Sequence, residues 1–365
     1  MKFLKVLIAF LFLYLSLSNL KADTQSRQVV KIGLIFALTG PMSTFSDDIA
    51  KAIPILEEKF NSEQSQYTFK LILEDGKFGH SNSAITAAKK LVDIDKVKFI
   101  IVGSSGEVMQ IADFVERNKI LTVVGHASHP EVRYLGDYIF RTYVDSEKGI
   151  DLVAKDISDR GIKRVAIFTE ETSFTYAIKN LLEKKLKKSI VFSSDFDLAD
   201  VDFKTLIHKS KLKKPDAYYL NASTPNVFIT LLKQLRAYNN DLPIYTYYLP
   251  SLEQVQKSLG NQLKGILYLD FPDISNSSED FLLFQKKFIE INNKPQALFN
   301  FKTNYNAIKV VYDGIVAVGY DSQRVKDYLY NYRKESATGL LQFDQYGDVE
   351  NLNLVLKQYD SNVEK

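Results

Sequence analysis

Histidine is scarce in this chain, four residues in 365, and only His126 and His129 lie close enough in sequence to act together. They stand three apart on a turn with no third ligand nearby, whereas a zinc ion takes three or four protein ligands. No metal and no cofactor is expected. His80 and His208 read as surface positions. Cysteine is absent, which removes disulfides, thiolate metal sites, cysteine nucleophiles and a lipidated N-terminal cysteine. Nor is there a nucleophile elbow, a phosphate loop or a G-x-G-x-x-G turn, so nucleotide binding and hydrolysis lack their usual machinery. What remains are small polar turns that follow apolar runs. They include Thr39-Gly40-Pro41, Gly103-Ser104-Ser105 and Ala127-Ser128-His129-Pro130-Glu131. Open parallel sheets bind ligands at the carboxyl ends of their strands, where turns of this kind sit.

The elements that must carry those turns alternate. Ile32 to Leu38 is an apolar strand, and the helix after it buries Ile49, Ala52, Ile53, Leu56 and Phe60, with Pro54 expected to kink it or shift its start. Strands follow at Phe69–Leu73, Phe99–Val102, Ile120–Val124 and Tyr138–Thr142, with helices at Ser81–Ile94 and Val108–Asn118 between them. A second series reads as helix Lys148–Arg160, strand Arg164–Phe168, helix Phe174–Lys187, strand Ile190–Ser193 and helix Phe203–Ser210. It continues with strand Ala217–Leu220, helix Asn226–Tyr238 and strands Ile244–Tyr248 and Ile266–Leu269. Nearly continuous apolar runs are what parallel strands buried on both faces require, and the spacings suit right-handed crossovers. After Pro272 come helices Glu279–Asn292, Lys302–Ala317 and Ser322–Arg333, then an Asp344-x-x-Gly347-Asp348 turn and a last strand, Leu352–Tyr359. The fold class is α/β, with two doubly wound parallel-sheet lobes.

Composition sets the setting. Length favours two domains, and 45% apolar content supports a proper core. Lys2 and Lys5, the apolar stretch Val6–Leu17 and a cleavage position at Ala22 read as a secretory signal over residues 1–22. Removing Lys2, Lys5 and Lys21 leaves 44 basic residues against 44 acidic ones. That balance gives no electrostatic case for nucleic acid or an anionic membrane. An exported chain without an anchor fits best between two membranes, so the periplasm is the expected compartment.

Together these segments resemble the type 1 periplasmic solute-binding proteins, the branched-chain amino-acid-binding family. The markers are the Thr39-Gly40-Pro41 turn, Asp75 after the second strand, the Gly103-Ser104-Ser105 and Ala127–Glu131 turns, Asp202-Phe203, Pro215-Asp216-Ala217 and the closing Gly339–Asp348. The resemblance covers residues 29 to 359. It implies two lobes joined by three crossings near Tyr143–Ser146, Tyr268–Pro272 and Thr338–Leu341. Lobe one would be 23–144 plus 271–338, and lobe two 145–270 plus 339–365. A small solute would sit between them.

The resemblance also assigns a site. In amino-acid-binding relatives two small hydroxyl residues and backbone N–H groups hold the ligand carboxylate, and their positions match Ser105 and Ser128. Helix N-termini supply the donors and partial positive charge that such a contact needs. The carbonyl of His126 matches one that accepts from the ligand ammonium. Phe45, Phe174 and Thr224 fall where relatives place aromatic or polar groups against the solute, although among 24 Phe and 21 Tyr an aromatic residue is usually core. Relatives pair the ammonium with an acidic residue on the second lobe, and Tyr248 stands there instead. Glu170 or Glu171 could substitute; otherwise an aromatic acid, an aliphatic acid or an amide fits better.

The expected function is capture of a small carboxylate-bearing solute, an amino acid first, by a monomer that delivers it to a membrane ABC permease. The rivals are a sensor of the same fold and an exported α/β enzyme.

Overall fold

The computed structural model describes residues 27–40, 43–77, 82–238 and 241–360, with backbone only at residues 44 and 45. The expected signal segment, Pro41 of the first turn and His80 lie outside the described residues. Among the described residues no helix is long and apolar enough to cross a membrane.

The first half of the chain runs β1 (Gln28–Phe36), α1 (Ser43–Glu63), β2 (Tyr67–Asp75), α2 (Ser83–Lys89, continued as a π turn to Ile94), β3 (Phe99–Val102), α3 (Ser105–Arg117), β4 (Leu121–Val124) and β5 (Ile139–Arg141). Its strands form one parallel sheet in the order β2-β1-β3-β4-β5. β3 and β4 are buried at every position, as their nearly continuous apolar runs require. Pro54 does not break α1. The residue is exposed, so the carbonyl that loses its N–H partner can turn to water.

The second series runs α4 (Ser146–Asp159), β6 (Val165–Glu170), α5 (Ser173–Leu186), β7 (Ile190–Phe196), α6 (Lys204–Lys211), β8 (Ala217–Asn221), α7 (Pro225–Ala237), β9 (Ile244–Thr246), α8 (Glu253–Leu259) and β10 (Leu267–Asp270). Here the parallel order is β7-β6-β8-β9-β10, which repeats the first sheet's plan strand for strand. The chain then forms α9 (Glu279–Ile291), α10 (Leu298–Val318), α11 (Ser322–Leu329), the hairpin β11 (Arg333–Ser336) and β12 (Gly339–Gln342), and β13 (Val355–Gln358), which pairs antiparallel with β10.

Three features depart from the sequence reading. Helix α8 was not anticipated. The expected helix Ser322–Arg333 stops at Leu329, and a hairpin follows. The Asp344–Asp348 turn does not join β12 to β13 in one ladder, because β12 pairs with β11 and β13 pairs with β10. An isolated antiparallel bridge, Phe343 to Val349, closes the turn instead.

The cores follow the sheets. One cluster runs through β6, β8 and β9 and includes Phe168, Tyr219, Leu220 and Ile244. Another packs β1, β3 and β4 against α9 and α10 through Phe60, Phe284, Phe301 and Ile308. Leu341 and Phe343 belong to the latter, and Val349 packs against both.

Candidate functional site

Strand order reverses once in each sheet, between β1 and β3 in the first and between β6 and β8 in the second. Such switch points open a crevice beyond the carboxyl ends of the strands. Both crevices face one cavity of about 510 Å³. Its wall on the first side comes from Gly76 and Lys77 after β2, Ser104 to Glu107 with Met109 and Gln110 after β3, and His126 and Ser128 after β4. From the second side come Glu171 to Phe174 after β6, Leu198 after β7, Ser223 after β8 and Tyr248 after β9.

Two helix N-termini therefore meet at the cavity. Helix α3 begins at Ser105, which is buried. Helix α5 begins at Ser173, capped by a reciprocal Thr172–Thr175 box. The positive dipole ends of both helices favour an anionic group between them.

Ser128 is held from several directions. Its carbonyl accepts from Ser146 N–H at 3.0 Å, where the chain enters α4. The carbonyls on either side of it, Ala127 and His129, accept from Arg141 Nη1 at 3.3 and 2.9 Å. Arg141 is 1% exposed and also grips Asp348 through Nε and Nη2, at 2.8 and 2.6 Å, and Asp145 at 2.9 Å. One guanidinium thus ties the Ser128 loop to the first crossing and to the closing turn. Its fork geometry suits such a junction.

His126 is half-buried on the wall, and burial lowers its pKa to about 4, so the imidazole is neutral. Its ring lies 4.9 Å from Tyr143 and 6.3 Å from Tyr248. Tyr248 is buried, packs against Tyr247 and Phe271 at 5.6 and 5.1 Å, and also borders a second cavity of about 450 Å³. Phe174 meets Tyr247 edge to face at 5.2 Å.

Among the sequence candidates, Ser105, Ser128, His126, Phe174 and Tyr248 come together at this cavity. Thr224 does not line it. Its N–H donates to Glu170 Oε2 at 3.0 Å, and its hydroxyl is buried with no partner among the described residues. The side chain of Phe45 lies outside the described residues. Glu170 is fully buried, and its Oε2 accepts from Ser223 N–H, the Ser223 hydroxyl and Thr224 N–H at the start of α7, while Oε1 has no hydrogen bond among the described residues. Glu171 reaches the cavity but is exposed. His129 Nδ1 accepts from Glu131 N–H at 3.1 Å, a local capping bond. Among the described residues no group of three His, Cys, Asp or Glu could hold a metal ion.

The sequence reading passed over Arg141 and Glu107. Arg141 carries no local signal, since its main partner lies 207 residues away. Glu107 follows Ser104 by three, a spacing that marks helix starts. It is 2% exposed, and burial raises its pKa to about 7.

Comparison with known proteins places this geometry. Residues 29–348 match the family model described as periplasmic binding protein. The chain is 23% identical over 344 residues to a Leu/Ile/Val-binding protein homolog of Brucella melitensis, covering 91% of each. It is also 23% identical over 360 residues to the leucine-, isoleucine-, valine-, threonine- and alanine-binding protein of Pseudomonas aeruginosa, covering 96% of this chain and 95% of the relative. In fold it is similar to a leucine-binding protein of Thermotoga maritima, at TM-score 0.79 and 23% identity over 90% of this chain and 95% of the other. A solute-binding protein of an R. palustris ABC transporter, solved with benzoate, superimposes at TM-score 0.77 and 17% identity over 90% and 93%.

Proposed function

The chain belongs to the periplasmic binding protein family, and from that premise we propose that it captures one small carboxylate-bearing solute, an amino acid first, between two lobes. The observation that carries this is the single cavity at both topological switch points, with a helix N-terminus entering from each side. Ser105 and Ser128 receive the solute carboxylate, and the His126 carbonyl and the Tyr248 side chain border its other end. Lobe one comprises 23–144 plus 271–338 and lobe two 145–270 plus 339–365. The separate cores of the two sheets support that division in outline, while Leu341 and Phe343 still pack in the first sheet's core and Val349 packs against both, which supports a passage between lobes through the closing segment. The protein is exported to the periplasm, works as a monomer and hands its solute to a membrane ABC permease without altering it.

Closure needs contact with both lobes, because only a ligand that binds one state better shifts the equilibrium. Ser105 on one wall and Ser173 with Phe174 on the other provide the two contacts. The double variant Ser105→Ala with Ser128→Ala is expected to abolish solute binding while the circular dichroism spectrum stays native. Unchanged affinity would overturn this site.

A second reading, an aromatic acid, is favoured by the His126, Tyr248 and Phe174 rings that line the cavity. A thermal-shift panel of amino acids, benzoates and small amides separates the two readings.

A further inference from the structure

Ser104 and Glu107 hold the N-cap and third positions of α3, the Ser-x-x-Glu spacing of a capping box. In a closed box each side chain bonds the other's backbone N–H. This box is open. The Ser104 hydroxyl and both Glu107 carboxyl oxygens are buried with no hydrogen bond of good geometry among the described residues, and the Ser104 hydroxyl and N–H lie only close enough to offset part of the rise that burial imposes on the Glu107 pKa. The carboxyl lies against Gly76, where a β-carbon would sit 2.6 Å from Oε1, so a larger residue at 76 would fill its space. Both residues line the cavity. A buried carboxyl with neither oxygen satisfied is unfavourable, and native proteins keep such groups mainly where function uses them.

We propose that Glu107 is the acidic partner of a protonated amine on the solute, and so makes the cavity selective for amine-bearing solutes. The proposal rests on the cavity being the solute site. It also answers a question of chemistry. An ammonium buried in this cavity needs a carboxylate, and Glu170 does not line it and gives Oε2 to the start of α7, while Glu171 is exposed. Glu107 is the cavity-lining carboxyl that is both buried and unpartnered.

A proton is coupled to this contact. With its pKa near 7, Glu107 must ionise before it can hold a cation. Asp75 acts on it electrostatically, and Lys77, Glu171 and neutral His126 line the same space.

The test is calorimetry on the mature chain with L-leucine, L-phenylalanine and L-alanine, each beside the same acid lacking its amine. The expected result is that an amino acid binds at least tenfold more tightly than its twin at pH 8. Its affinity should fall about 30-fold between pH 8 and 5.5, following ionisation of a group with pKa near 7. In Glu107→Gln the preference should shrink to within about threefold, the twin's affinity should hold, and the pH dependence should flatten. Equal binding of the twins, a pH-independent amino-acid affinity, retained preference in Glu107→Gln, or silence from every amine overturns the proposal. The pH series on the unmodified protein decides the matter even where the variant folds poorly. Should acids bind without regard to the amine, and should Ser105→Ala with Ser128→Ala still abolish that binding, the proposal falls while the solute site stands. A bound compound indifferent to the serine pair instead removes the site itself.

Discussion

At the residue scale, two buried charges carry most of the local consequence. Arg141 is nearly inaccessible and bridges Asp348, Asp145 and the carbonyls that flank Ser128. Removing one member of a buried pair leaves the other uncompensated, so Arg141→Leu should cost about 3–5 kcal/mol in urea unfolding. It should also weaken solute binding, since the Ser128 loop loses its anchor. Glu107 has the opposite sense. Burial lifts its carboxyl from 4.5 in the unfolded chain to about 7 in the folded one. Between those values the folded state holds a proton that the unfolded state has released. The ligand-free protein should therefore lose stability as pH rises through that window, by about 3 kcal/mol at most. Urea unfolding at pH 4.5 and pH 8 measures this, and Glu107→Gln should remove that part of the slope.

At the element scale, the turns decide what the strands can present. Gly347 sits at φ +76°, and a β-carbon there would lie 2.8 Å from the carbonyl oxygen of Ile139. Its own carbonyl accepts from Arg141 N–H at 2.8 Å, so the turn docks directly on β5. Gly347→Ala meets both an unfavourable backbone region and a backbone clash, and should destabilise by about 2 kcal/mol or more. A thermal midpoint within a degree of the parent would contradict this. Helix α10 joins the same region from the other side. The Thr142 hydroxyl donates to Thr303 O at 2.8 Å, the Tyr143 hydroxyl donates to Asn300 Oδ1 at 3.0 Å, and Asn306 bonds Ala337 N–H and the Thr338 hydroxyl. The buried polar residues of this helix thus serve the segments near the expected crossings.

At the scale of the whole molecule, two sheets of one plan enclose a shared cavity, and solute capture should bring them together. Small-angle scattering should show a smaller radius of gyration when a binding compound saturates the protein, and none in the Ser105→Ala, Ser128→Ala variant. A saturated protein with unchanged dimensions would sink the closing motion. Ligand at 100 times its dissociation constant should also add about 2.7 kcal/mol to stability, visible as a raised unfolding midpoint.

The amino-acid order alone was enough for the alternation of strands and helices and the doubly wound class, and the family resemblance pointed to Ser105 and Ser128, which line the cavity. A strand buried on both faces must be largely apolar, and β3 is so throughout while β4 breaks the run only at Thr122, whose hydroxyl bonds the Ile120 carbonyl. Such burial writes itself into composition. The edge elements left no such record. β11, Arg333 to Ser336, is largely exposed and charged, and only pairing with β12 makes it a strand. The candidate site divides in the same way. Its serines sit in turns that the family resemblance marked, whereas Arg141 acquires its contacts from Asp348 and Glu107 its surroundings from the bare backbone of Gly76. Those partners are distant in the chain, and only folding brings their atoms within reach.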